Sequence, residues 1–144
     1  MIVTKEVFGG MMSLQRVPPE SGGILGTSDG VVIDFLTEDM SNRVKTGEIL
    51  SNTYVPDTIF LNGEIERWHD GGIEFCGIYH THPPGCRTLS LEDITYAERI
   101  LCTMPQEKQT LLFPLVFPGE KIKCYRASNR HGSIAISEET IQII

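Results

Sequence analysis

One segment of the chain passes from an apolar run directly into a pair of histidines, and this feature constrains the fold most. Residues 73–79 (IEFCGIY) are apolar and rich in β-branched and aromatic side chains, which predicts a buried strand. His80-Thr81-His82 follows, and Pro83-Pro84-Gly85 then ends the strand because proline cannot donate to a neighbouring strand. Side chains two apart on a strand point to the same side. Both imidazoles are therefore expected to converge at one end of a sheet.

A predicted helix supplies the third ligand of a candidate metal site. It starts at Ser90, an N-cap type, and Pro105 follows its end. Its apolar stripe consists of Leu91, Ile94, Ala97, Leu101 and Met104. Asp93 lies one turn after Ser90 on the same face. Two imidazoles and one carboxylate suit zinc and leave its fourth position open for water, as in a catalytic site. The S-x-x-D pattern also predicts a helix cap, so both residues can have a structural role as well.

A zinc hydrolase also needs a general base near the metal. Glu20 is the best candidate, because it stands just before a glycine-rich apolar segment, residues 22–26, that is predicted to be a strand. Taken alone, Glu20 is more typical of a polar residue ahead of a strand. Asp29, Glu74 and Glu92 are the alternative carboxylates.

Together these residues resemble the pattern of the JAMM (MPN-positive, Jab1/MPN/Mov34) metalloprotease family. That pattern is a glutamate, then His-x-His, seven residues, a serine, two residues and an aspartate. In this chain Glu20 is followed by His80-Thr81-His82, the seven residues 83–89, then Ser90 and, after two more, Asp93. The resemblance extends over roughly residues 17–125. The chain is short and has no evident long insertions, which favours a prokaryotic-type member.

The resemblance implies a fold and a reaction. The fold is an α+β (mixed α/β) domain of the cytidine-deaminase-like kind over residues 1–144, with a curved, mostly antiparallel sheet flanked by helices. The reaction is hydrolysis of the amide bond after the C-terminal glycines of a ubiquitin-like or sulfur-carrier protein. A ubiquitin-activating-type enzyme is a further expected partner. In this scheme His80, His82 and Asp93 hold Zn²⁺, Glu20 is the base, and Ser90 hydrogen-bonds the developing oxyanion.

Two alternative functions remain open from the sequence. A zinc hydrolase of another amide, such as a cell-wall peptide or a cysteine adduct on a carrier protein, would use the same metal site. A non-catalytic MPN-type scaffold would not need the ligands, so the complete ligand set argues against it.

Composition and charge limit the class of protein, the partners and the location that can be expected for this chain. With 144 residues, 40% of them apolar and 22% charged, it has the composition of a globular domain large enough for a proper core. The net charge is −7 and no Lys/Arg cluster is present, which argues against nucleic-acid binding. No membrane-spanning apolar run and no signal-peptide pattern are found, so no membrane association and a cytoplasmic location are expected.

The four cysteines, Cys76, Cys86, Cys102 and Cys124, form no C-x-x-C pair and are expected to be mostly free thiols in or near the core. Cys86 lies between the histidines and Ser90. It is either a loop residue with no role, which is the favoured interpretation, or a competing metal ligand or redox-sensitive thiol.

Elsewhere the pattern mixes helices and strands without the alternation of a parallel sheet, which predicts an α+β or mixed α/β fold. Strands are predicted over residues 22–26, 31–36, 110–117, 121–127 and 131–136. The first two form a predicted hairpin with its turn at residues 27–30, and the next two form a second one around Pro118-Gly119. Helices are predicted over residues 3–16 and 56–69 and from Ser137 onward, with a loop over 37–50. In the second of these helices, Ile59, Phe60, Ile65 and Trp68 are expected to face the core.

Overall fold

The computed structural model describes residues 1–16, 20–48, 54–83, 85 and 88–144, so the prediction for Cys86 lies outside the described residues. The elements follow one another as β1 (Ile2–Val3), α1 (Lys5–Met12), β2 (Gly22–Ser28), β3 (Val31–Thr37), α2 (Ser41–Lys45), α3 (Thr58–Asp70), β4 (Glu74–Thr81), α4 (Leu91–Thr103), β5 (Thr110–Phe117), β6 (Lys121–Arg130), β7 (Ser133–Glu139) and β8 (Gln142–Ile143).

One eight-stranded sheet organises these elements, in the order β7-β6-β5-β4-β2-β3-β1-β8. The β2–β3, β2–β4, β5–β6 and β6–β7 pairs are antiparallel, whereas β4–β5, β1–β3 and β1–β8 are parallel. The sheet curls, so that β7 and β8, which are consecutive in the chain, occupy its two ends. The predicted curved, mostly antiparallel sheet with helices is therefore confirmed.

Side-chain alternation along the strands builds a separate core on each face of the sheet. Ile24 and Ile78 belong to a cluster that includes Trp68 of α3 and Leu101 of α4. Leu25 and Tyr79, one residue further along each strand, belong to a second cluster. That cluster also holds Val7 and Met11 of α1. Because His80 has the same parity as Ile78, its side chain lies on the α3–α4 face.

The predicted hairpin between β2 and β3 is confirmed. Its turn is Asp29-Gly30, and both residues have positive φ, 50° and 80°. That combination is typical of a type I′ turn, whose twist matches the flanking strands and which favours Asp-Gly. The predicted hairpin between β5 and β6 is confirmed as well.

The first predicted helix was too long at both ends. Ile2 and Val3 instead form β1 beside β3. The helix begins after Thr4, whose side chain accepts a hydrogen bond from the Val7 N–H at 3.3 Å, and it ends at Met12. Gly10 within this helix allows the Phe35 ring to pack closely, because a Cβ there would lie 2.5 Å from that ring.

The loop predicted over residues 37–50 contains a short helix, α2, that the pattern did not indicate. It starts at Ser41, whose N–H donates to the Asp39 carboxylate at 3.0 Å. Five residues provide too few periodic positions to reveal a helix in a polar segment.

The predicted C-terminal helix from Ser137 is wrong. Residues 137–139 continue β7, which pairs with β6, and β8 then pairs with β1. Tertiary contacts override the local Ser-Glu-Glu signal: Glu139 accepts hydrogen bonds from Arg126 at 2.8 and 2.9 Å. The last predicted strand also starts later, at Ser133, because His131 and Gly132 form a turn with positive φ.

Three residues expected to face the core are exposed. Ile59 is 87% exposed, Leu91 is 77% exposed and Phe60 is also largely exposed. All three lie in the first turns of α3 and α4, before the helices reach the sheet. Trp68, at the other end of α3, is buried as predicted.

The described cysteines are free thiols, but they differ in burial. Burial raises the pKa of both the Cys76 and the Cys124 thiols to about 12, so these two are weak nucleophiles. Cys102 is exposed on α4, which corrects the expectation that it is near the core. None of the helices in the described part of the chain combines the length and apolarity needed to cross a membrane.

Candidate metal centre

The two histidines lie at the C-terminal end of β4, between β2 and β5. His80 pairs with Leu115 of β5, and the His82 N–H donates to the Val116 carbonyl at 3.0 Å. Because the two side chains are two residues apart in extended chain, they share one face of the sheet. Their Nε2 atoms lie 2.7 Å apart, and each residue is only 6% exposed.

Asp93 reaches the histidines from the first turn of α4. His80 Nε2 is 3.1 Å from Asp93 Oδ1, and His82 Nε2 is 3.5 Å from Oδ2. A capping box fixes the carboxylate: Ser90 N–H donates to Asp93 Oδ2 at 2.7 Å, and Asp93 N–H donates to Ser90 Oγ at 3.1 Å. The two roles expected for the S-x-x-D pattern are therefore compatible in one geometry.

The surroundings of Asp93 favour its ionised form. Burial by itself raises the pKa of this carboxyl. Hydrogen bonds with the His80 and His82 rings and with the Ser90 N–H outweigh that effect and hold the pKa well below its usual range. Asp93 is thus a carboxylate at neutral pH, which is the form that ligates a metal.

This donor set fits a metal ion. The ligand atoms of His80, His82 and Asp93 all lie within 4.8 Å of one another. The two Nε2 atoms are 2.7 Å apart, and each lies within 3.5 Å of one Asp93 carboxylate oxygen, Oδ1 for His80 and Oδ2 for His82. The three residues can therefore hold a metal ion, and their N and O donors suit zinc.

The register between β2 and β4 places Glu20 beside the histidines. Gly22 pairs with His80, and the ladder is extended by Thr81 N–H donating to the Ser21 carbonyl at 2.7 Å. The Ser21 N–H donates in turn to Thr81 Oγ1 at 2.8 Å. Glu20, the residue before Ser21, is half-buried and lines the same cleft as both histidines. Its role as a general base stays a prediction.

Ser90 also lines this cleft, and its hydroxyl oxygen already accepts one hydrogen bond. Its Oγ accepts the Asp93 N–H, which occupies a lone pair and leaves the hydroxyl hydrogen available to donate.

These side chains share a cleft of about 730 Å³. One wall comes from the segment before α3 and the other from α4. The lining residues are Glu20, Tyr54, Val55, Pro56, Ile78, Tyr79, His80, His82, Ser90, Leu91, Glu92, Asp93, Thr95, Tyr96, Arg99 and Phe113. The volume is in the range of sites that take small molecules or short peptide segments.

The alternative carboxylates are less well placed than Glu20. Asp29 lies in the β2–β3 turn. Glu74 is at the other end of β4, where it contacts His69 and Lys108. Glu92 lines the cleft but is exposed on α4.

Two residues of the site were not found from the sequence. The Tyr54 ring stacks on the His80 ring, with centroids 6.4 Å apart and planes 14° from parallel. The Tyr54 hydroxyl donates to Glu38, a carboxylate that is only 8% exposed. Burial raises the pKa of Glu38, while hydrogen bonds from Tyr54 and the Asp57 N–H partly offset that effect. Both residues come from segments without a recognisable pattern, so no local signal indicated them.

Comparisons with known proteins define the fold. No protein-family model and no curated protein matches the chain. Three solved structures that resemble it over its whole length are a protein from Desulfitobacterium hafniense (20% identity, 93% of that chain, TM-score 0.65), a Jab1/MPN domain protein from Archaeoglobus fulgidus (18%, 99%, 0.54) and a protein from Salinibacter ruber (18%, 92%, 0.56). The fold is therefore MPN-like.

Proposed function

We propose that this chain is a zinc-dependent metallopeptidase of the JAMM type. It would hydrolyse the amide bond that follows the C-terminal glycines of a ubiquitin-like or sulfur-carrier protein. The observation that carries the proposal is the convergence of His80, His82 and Asp93 within 4.8 Å at a cleft that Glu20 and Ser90 also line. The MPN-like fold supports the proposal, because the JAMM family that the sequence pattern resembles and a solved structure similar to this chain are both of the Jab1/MPN kind.

In this proposal His80, His82 and Asp93 hold the metal, and the other residues handle the substrate. A bound zinc ion supplies Lewis acidity, which acidifies water and polarises an amide carbonyl. Glu20 accepts the proton of the attacking water and returns it to the leaving amine. The Ser90 hydroxyl donates to the carbonyl oxygen as negative charge develops there.

The substrate class is inferred from the resemblance and from the character of the cleft. The cleft is large enough for a short extended segment, and exposed apolar side chains at its walls, Val55 and Leu91, offer contacts to the folded body of a carrier protein. The net charge of −7 makes nucleic acid a poor partner. We propose a cytoplasmic setting without membrane association, and a ubiquitin-activating-type enzyme as a functional partner.

The first test is metal content. Elemental analysis of the purified chain, supplied with zinc and freed of excess, is expected to give about one zinc per chain. His82→Ala should lose it, whereas His69→Ala, which removes an exposed histidine outside the site, should retain it. Absence of zinc from the unmodified chain would overturn the hydrolase proposal and favour a non-catalytic scaffold.

The second test is cleavage of a ubiquitin-like carrier whose C-terminal Gly-Gly is joined to a short peptide. Cleavage after the second glycine is expected, together with loss of about 10²–10⁴ in rate for Glu20→Gln, because the amide cannot accept the proton. Glu20→Gln should keep its zinc. The matched control is the same carrier-peptide fusion with Val-Val in place of Gly-Gly. Equal cleavage of both carriers would refute the substrate class, and a fully active Glu20→Gln would refute the base.

A further inference from the structure

Tyr54 occupies a gap beside the candidate ligand His80. The cross-strand partner of His80 on β2 is Gly22, which has no side chain to pack against the imidazole. The Tyr54 ring fills that space: a Cβ built on Gly22 would lie 2.5–2.6 Å from three of its carbon atoms. The glycine is therefore what allows the ring to lie over the strand and stack on His80.

Glu38 anchors Tyr54 from the end of β3. The Tyr54 hydroxyl donates to Glu38 Oε1 at 2.6 Å, and the Asp57 N–H donates to Oε2 of the same carboxylate at 3.0 Å. The backbone of Glu38 is itself fixed, because its N–H donates to the Gly22 carbonyl at 2.9 Å. Glu38 thus joins three parts of the chain: its backbone holds β2, and its buried carboxylate holds the Tyr54 ring and the start of α3.

Besides the His82 ring, whose centroid is 4.6 Å away, two aromatic side chains pack on the His80 ring. Tyr54 stacks on it, and Phe113 meets it edge-on with ring centroids 5.6 Å apart. Phe113 belongs to the buried core, whereas Tyr54 comes from a segment outside the sheet. Tyr54 is therefore the part of this packing that can be removed without emptying the core.

We propose that Tyr54, fixed by Glu38 and accommodated by Gly22, is a positioning residue that holds the His80 imidazole in its metal-binding orientation. The inference rests on the metal centre of the proposed function. A ring that is oriented before binding loses less rotational freedom when it ligates, so the metal is held more tightly. Hydrogen-bonded partners that orient metal-ligating histidines typically contribute a factor of 10–100 to affinity, and we expect the stacked Tyr54 ring to contribute about tenfold.

The test is zinc affinity measured by competition with a chromophoric chelator. Tyr54→Ala is expected to weaken zinc binding by about tenfold or more. Tyr54→Phe keeps the stacked ring but loses the Glu38 contact, so its loss should be smaller than that of Tyr54→Ala. Tyr125→Phe, which removes a hydroxyl from β6 outside the cleft, should leave the affinity unchanged. Unchanged affinity in Tyr54→Ala would overturn the proposal.

A double-mutant cycle separates this role from general destabilisation. Gly22→Ala should weaken zinc binding in the unmodified chain, because its methyl group displaces the Tyr54 ring. In the Tyr54→Ala background the same change should have little further effect, since the atoms it would meet are gone. Additive losses would show that Gly22 acts in another way and would overturn the inference.

Two outcomes keep the inference distinct from the proposed function. If the unmodified chain binds no zinc, the metal centre itself is refuted. If it binds zinc and the Tyr54 variants bind equally well, only the positioning role is refuted. Thermal unfolding of each metal-free variant establishes that it is folded at the temperature of the titration.

Discussion

The hydroxyl of Thr81 supports the site from the opposite face of β4. Its Oγ1 accepts the Ser21 N–H at 2.8 Å, next to Glu20. Thr81→Val keeps the shape but removes the acceptor of that partly buried N–H, which costs about 1 kcal/mol. We expect lower stability in chemical denaturation and a reduced kcat, because the Glu20 backbone is less well fixed, with zinc content unchanged.

Thr103→Val is a suitable control for this prediction. Thr103 Oγ1 donates to the Ile100 carbonyl in the exposed last turn of α4, where water can replace the lost hydrogen bond. Its stability and kcat should stay close to those of the unmodified chain. A Thr81→Val variant as stable as this control would contradict the role assigned to the Thr81 hydroxyl.

At the residue scale, sequence reasoning succeeded where spacing carries the information. His80 and His82 converge because they are two apart on one strand, and Asp93 joins them because a cap motif fixes it to the start of a helix. Tyr54 and Glu38 are 16 residues apart in irregular segments, and only the folded chain brings them together. A contact of that kind has no periodicity from which it could be predicted.

At the scale of a single element, Ser90 has two separable roles at the start of α4. It caps the helix, and its hydroxyl is the proposed donor to the substrate carbonyl. Ser90→Ala removes both and should cost about 1 kcal/mol of stability. Ser90→Gly costs only a few tenths, because glycine is a tolerated N-cap. We expect both variants to lose similar amounts of kcat in the carrier assay while differing in their free energy of unfolding.

This comparison has a clear contrary result. If kcat follows stability, so that Ser90→Gly is nearly as active as the unmodified chain, then the hydroxyl matters only as a cap. Ser90→Thr, which retains both the acceptor and the donor, should restore most of the activity in either case.

Among the elements, α4 and β4 were predicted well because strong periodicity, a cap and a terminating proline agree with one another. The C-terminal segment was not, since Ser137 and its neighbours carry a helix-start signal that pairing with β6 overrides. The inward face of α3 was misjudged at Ile59 and Phe60 because amphipathic periodicity does not reveal how much of a helix overlies the sheet.

At the scale of the whole molecule, Glu139 joins the two ends of the curled sheet. Both of its oxygens accept hydrogen bonds from Arg126 on β6, and Oε1 also contacts the Met1 amino group at 2.9 Å. These partners lower the pKa of Glu139 from 4.5 to about 2. A carboxyl whose pKa is depressed by folding adds stability above its unfolded value, and that stability is lost as the pH falls toward the folded value.

The expected signature is a difference between two pH profiles of thermal unfolding. Glu139→Gln should unfold at a lower temperature than the unmodified chain at neutral pH, and the two profiles should converge as the pH falls from about 4.5 to about 2. Glu138→Gln, next to it but 64% exposed at its side chain, should differ little at any pH. A Glu139→Gln difference that stays constant with pH would contradict the assignment.

The order and direction of the strands in the sheet were the features that the sequence predicted least well. A curved, mostly antiparallel sheet was implied only by the resemblance to a known family, whereas composition and periodicity gave no strand order. The β1–β8 pair joins residues about 140 positions apart through strands of two residues each, which are too short to leave an alternation pattern.

The parallel pairing of β1 with β8 has a mechanical consequence. Gln142, Ile144 and Lys5 each donate a backbone hydrogen bond between the two segments, at 2.9, 3.0 and 3.0 Å. Because the strands run the same way, tension applied between Met1 and Ile144 acts along them and loads these bonds in shear. Several bonds must then break together, whereas an antiparallel pair would open one bond at a time. The β1–β8 pair is therefore expected to resist tension between the two ends of the chain more strongly than an antiparallel pair of the same length.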